Sequence, residues 1–87
     1  MHEASLMRDL MAKIDALAEA EKARRVVAVS VWCGALSHMT EAHFGEHFRQ
    51  SAAGTIAEGA RLDVTLSTDI SDPNAQDVLL ESIEIEG

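Results

Sequence analysis

The chain has 87 residues, 15 Asp and Glu against 7 Lys and Arg, a formal charge of −8 and one cysteine, which bounds it to one small acidic domain hiding roughly 60–65% of its unfolded surface. A negative balance repels phosphate backbones, so nucleic acid is excluded as a partner. No run approaches the roughly 20 apolar residues that cross a bilayer, and the start lacks a basic region followed by an apolar stretch, so a cytoplasmic chain with no membrane partner is expected.

From Ala4 to about Lys22, Leu6, Met7, Leu10, Met11, Ile14, Leu17 and Ala18 recur at three- and four-residue spacing between Arg8, Asp9, Lys13, Asp15 and Glu19, the pattern of an amphipathic helix. Lys22, Arg24 and Arg25 collect where cations complement the carbonyl-rich helix end, and the helix should stop near Ala23. Val26 to Leu36 is β-branched and alternating. It predicts a first strand with Val27, Val29, Val31 and Cys33 on one face and Ala28, Ser30 and Trp32 on the other.

Thr40 and Glu41 suit a helix start, and Phe44 and Phe48, four apart, point the same way along a second helix ending before Gly54. Leu62, Val64 and Leu66 alternate with Asp63, Thr65 and Ser67 as a second strand, and Val78 to Glu86 reads as a third. Asp72-Pro73-Asn74 is turn chemistry. The ten residues Thr68 to Asp77 are enough to close the last two strands into a hairpin. The order α-β-α-β-β implies an α+β fold in which both helices pack on one face of a small three-stranded sheet.

Cys33 has no cysteine to pair with and falls in an apolar run, where a thiol behaves as a small buried hydrophobe. If Val29, Val31 and Cys33 face the helices, Trp32 points to the uncovered side of the sheet. An indole there suggests a partner or a homodimer contact, or else lies flat over its neighbours.

Met1-His2-Glu3 offers a terminal amine, an imidazole, backbone amides and a carboxylate within three residues, a donor set suited to nitrogen-preferring Ni(II) in planar or tetragonal geometry. The plain alternative is a solvated chain end. His43-Phe44-Gly45-Glu46-His47 places two imidazoles on one helix face beside a carboxylate, the H-x-x-E-H arrangement of inverzincin peptidases. A catalytic zinc needs a third protein ligand and a cleft, for which so short a chain has little room, and Gly45 weakens the helix by about 1 kcal/mol. An auxiliary transition-metal site using His43 and His47, with His38, competes with a solvated polar face. Gly54 and Gly59 lack the Lys-Ser or Lys-Thr of a phosphate loop, and Glu84 and Glu86 alternate outward on an edge-like strand. No enzyme is expected.

Met1-His2-Glu3, Ser5-Leu6, Ala23-Arg24-Arg25-Val26, Gly34-Ala35-Leu36-Ser37 and Gly54-Thr55-Ile56-Ala57-Glu58-Gly59-Ala60-Arg61-Leu62 stand in an order and spacing that resembles the HypA/HybF family of nickel-insertion chaperones for hydrogenase and urease maturation. The resemblance runs from Met1 to about Leu66, and Ser82-Ile83-Glu84-Ile85-Glu86 is similar to the family's last strand. It implies a metallochaperone in which His2 is the essential nickel ligand, the Met1 amine and nearby backbone nitrogens share the coordination, and Glu3 helps bind metal or engages the client. The implied partners are a nickel-enzyme precursor or other maturation proteins. The family carries a zinc-binding module with two CxxC pairs where this chain has Thr68 to Asp77, so residues 1–87 are expected to form one nickel-binding domain without zinc. A protein-interaction module that no longer delivers metal is the competing expectation.

Overall fold

The computed structural model describes residues 3–37 and 39–87, with side chains from Ser5 onward. The elements are α1 (Glu3–Ala20), β1 (Arg25–Cys33), α2 (Glu41–Ala52), β2 (Arg61–Leu66) and β3 (Val78–Glu86), the expected α+β order. Met7, Leu10, Met11, Ile14 and Ala18 of α1 meet Phe44, Phe48 and Ala52 of α2 and Val26, Val29 and Val31 of β1 in one core. Each phenylalanine buried there contributes roughly 1.5–3 kcal/mol.

α1 ends at Ala20, three residues before the expected stop. Lys22 turns into the left-handed region at φ 53°, its N–H donates to the Glu19 carbonyl at 3.0 Å, and the Ala23 N–H donates to the Ala18 carbonyl at 2.9 Å. That pair of bonds is a Schellman cap, and Ala23 packs against the core. The last turn therefore holds no basic residue, and the cations expected there lie beyond the helix. α2 starts as expected, with the Thr40 hydroxyl accepting from the His43 N–H at 3.2 Å, a side-chain cap on a helix donor that has no carbonyl partner.

The strand order is β2-β1-β3, with β1 parallel to β2 and antiparallel to β3. The expected hairpin of the last two strands is therefore corrected: β1 lies between them. β2 follows β1 through α2, the crossover that a parallel pair requires. Segment 67–77 instead carries the chain from one sheet edge to the other.

The alternation of β1 is corrected as well. Against β3, Val26 faces Ile85 and Ala28 faces Glu84, leaving Val27 unpaired in a bulge, and a second irregularity lies between Ser30 and Val31, where the partner steps from Ser82 to Leu80. An extra residue reverses which face the next side chains take. Val26 thereby enters the core and Val27 is only half-buried.

β1 also ends at Cys33, short of the expected Leu36, because the incoming segment crosses its end. Leu66 and Val78, the last residue of β2 and the first of β3, both pair with Cys33. The Gly34 N–H donates to the Asp77 carbonyl at 2.8 Å and the Leu36 N–H to the Ala75 carbonyl at 2.7 Å. A Cβ on Gly34 would overlap the Ala75 carbonyl group, and backbone cannot swing aside as a side-chain tip can.

On the face away from the helices, Arg61 and Glu84 both flank Ala28, and the guanidinium reaches Asp63 at 3.2 Å and Glu84 at 3.7 Å. The small Ala28 side chain is buried in the register row that these two longer residues flank. Trp32 stands between Thr65 and Leu79 on this same face and is half-buried.

Two glycines should respond oppositely to alanine. Gly34→Ala should cost about 2–3 kcal/mol in urea unfolding, as backbone overlap does, whereas Gly45→Ala, whose new methyl would meet nothing, should add about 0.5–1 kcal/mol through helix entropy. Equal effects would contradict the crossing at Gly34. Cys33 is fully buried and its burial pushes the thiol pKa up, so alkylation by iodoacetamide at neutral pH should be slow in the native chain and fast in urea. Immediate native labelling would contradict that placement.

Candidate metal centre

The two imidazoles that sequence placed on one face of the second helix do meet. His43 and His47 stand one turn apart on α2, with ring centroids 4.6 Å apart and planes tilted by 53°. The same helix buries Phe44, Phe48 and Ala52, so packing of that stripe fixes which way the histidine face looks. His43 is exposed and His47 half-buried. His47 lines a cleft between the helices with Met7, Arg8, Met11, Ala12 and Asp15 of α1 and Ser51 of α2.

That cleft was not visible in the sequence pattern. Met7 and Met11 read as core positions, and they are, but they also line the cleft that His47 borders. A carboxylate, Asp15, and a cation, Arg8, border it, and Glu46 lies exposed beside the pair on α2. Among the described residues, no group of three or more His, Cys, Asp and Glu converges as a metal cage. The H-x-x-E-H segment therefore shows no third ligand of these types there for a catalytic zinc.

Met1, His2 and His38 lie outside the described residues, as does the side chain of Glu3. The backbone of Glu3 opens α1, so the first turn of that helix follows the Met1-His2 pair directly. Cys33 is sequestered at the far end of β1 with its thiol buried. Among the described residues, no helix is long and apolar enough to cross a membrane.

Residues 1–70 match the family model described as hydrogenase/urease nickel incorporation, metallochaperone, HypA. A hydrogenase maturation factor HypA of Chlorobium limicola is 36% identical over 64 residues, an alignment covering 74% of this chain and 55% of the relative. The chain thus spans about half the length of that relative. The solution structure of the Ni metallochaperone HypA from Helicobacter pylori superposes with a TM-score of 0.80 at 19% identity, covering 99% of this chain and 98% of that one. A second HypA solution structure gives 0.74 at 22% identity, covering 98% and 96%. At those identities the two structures establish a shared fold, and the family match rests on the sequence. Members of the family are metallochaperones, not catalysts. With residues 1–70 matched by that model and a relative 36% identical over 64 residues, the chain belongs to the HypA family.

Proposed function

We propose that this chain binds Ni(II) at its N-terminus and delivers it during maturation of a nickel enzyme such as a hydrogenase. The observation that carries the reading is that the family match begins at residue 1, so Met1, His2 and Glu3 fall within it. In this reading the Met1 amine, the His2 imidazole and adjacent backbone nitrogens coordinate the ion, and Glu3 assists in metal binding or client contact.

The local helix chemistry supports such a site. The first four N–H groups of an α-helix have no carbonyl partner within it, and α1 begins at Glu3. A metal can therefore take deprotonated amide nitrogens at the chain start without breaking a helical hydrogen bond. The positive end of the helix dipole opposes a cation placed there, which keeps the ion exchangeable. Exchange is what a carrier requires, and a terminal site can move toward an acceptor while the folded body docks.

The partners in this reading are a nickel-enzyme precursor or other maturation proteins in the cytoplasm. Residues 1–87 act as one nickel-binding domain, with turn 68–77 in place of a zinc module. A second reading is favoured by the sheet face away from the helices, where half-buried Trp32 stands beside Leu79, 37% exposed. It makes the chain a protein-interaction module, with docking of a client or a second copy through Trp32, that no longer delivers metal.

Nickel titration separates the two. The native, unextended chain should bind one exchangeable equivalent, its tightest, which His2→Ala removes and which a Gly-Ser leader before Met1 also removes by abolishing the free amine. Affinity should fall steeply with decreasing pH, because amine and amide must lose protons to coordinate. Uptake of that affinity surviving both changes would reject the N-terminal site and leave the interaction module.

A further inference from the structure

The histidine face of α2 is not used by the N-terminal reading, yet its geometry is that of a metal half-site. With metal–nitrogen bonds of about 2.0–2.1 Å and about 1.1 Å from nitrogen to ring centre, two imidazoles at about 90° on one ion have centroids about 4.5 Å apart. A tetrahedral angle would spread them to about 5.2 Å by the same bond lengths. The centroids of His43 and His47 are 4.6 Å apart. That spacing, which one turn of helix imposes on the pair, lies near the value for the right angle of a planar or tetragonal ion such as Ni(II) or Cu(II). Binding further requires each ring to turn about its last torsion until a nitrogen faces the ion.

The fold also sets His47 on a cleft shared with α1. His47 shares its cleft with Met7, and Met7 lies four residues after the first residue of α1, about 6 Å along the helix axis. The cleft runs along the middle of α1, from Met7 to Asp15, and His43 is one turn of α2 away from His47.

We propose that His43 and His47 form a second, exchangeable site for a tetragonal divalent ion, occupied by Ni(II) beside the N-terminal site. The inference rests on the nickel reading only for the choice of ion. Two protein nitrogens hold one edge of the coordination square. Among the described residues no group of three or more His, Cys, Asp and Glu converges as a metal cage. Asp15 and Glu46 supply negative charge nearby and Arg8 opposes it. The site is therefore weak, suited to collecting nickel from solution or receiving it from the chain end.

The test uses untagged His2→Ala chain, in which the terminal site is disabled, titrated with Ni(II) in buffer without competing ligands. One weak equivalent should bind and should broaden the ring proton signals of His43 and His47 through the ion's paramagnetism. His43→Ala and His47→Gln, added singly, should each abolish that event while leaving the circular dichroism spectrum unchanged. His43 is exposed and Gln keeps the bulk of residue 47, so the fold is expected to survive both. No uptake by the His2→Ala chain, or uptake indifferent to both second changes, would overturn the proposal. Loss of the weak event in native chain carrying His43→Ala, with the tighter one intact, supports it. Failure of the tighter event alone refutes the N-terminal site and leaves this one standing.

Discussion

Everything in this molecule depends on β1 having a hydrogen-bonded neighbour on each side. A strand placed at the centre of a sheet exposes neither edge, and it is the one strand here whose core-facing residues, Val26, Val29 and Val31, are completely buried. β2 and β3 each pair with β1 alone. α1 packs against β3 and α2 against β2, and the buried valines of β1 lie in the one core that these elements share. Without β1 the two outer strands would have nothing to pair with and the sheet that covers the helices would come apart, and an apolar stripe left facing water gives up most of its stabilisation.

The element types and order were legible because period-2 and period-3.6 patterns are strong over these lengths, and Thr40 and Phe44 mark the second helix chemically as well as periodically. Pairing was less legible. Leu66 and Val78 are separated by a segment rich in turn residues, which resembles a hairpin connection in any sequence. Nothing local reveals that β1 takes the place between them. The bulge at Val27 was hidden for a related reason: Val26 and Val27 are the same residue type, so hydrophobicity cannot say which one is the inward member. Lys22 gave no sign of a left-handed cap, since glycine or asparagine is the usual marker.

For the metal chemistry, sequence identified the donors and structure supplied relations between some of them. The i, i+4 spacing of His43 and His47 put the rings on one face, and their separation of 4.6 Å is a consequence of helix geometry that spacing alone foretells. The approach of α1 to His47 is tertiary, set by how Met7 and Met11 pack against the phenylalanines, and has no signature in the local pattern. Family membership rests on the first 70 residues, and so covers the stretch that includes α1, β1, α2 and β2 but not β3.

The crossing of segment 67–77 over the end of β1 has an architectural meaning. Because its two ends are anchored on strands flanking a third, they stand about two strand spacings apart, roughly 9.5 Å, instead of closing side by side. Additional sequence spliced into the water-facing stretch Thr68–Ser71, where Ile70 is 69% exposed, would hang from two separated attachment points. The passage of Ala75 and Asp77 over Gly34 would clamp the near side. The scaffold thus offers a broad bracket on which an appended lobe could grow or shrink in length while the central ribbon kept its pairing.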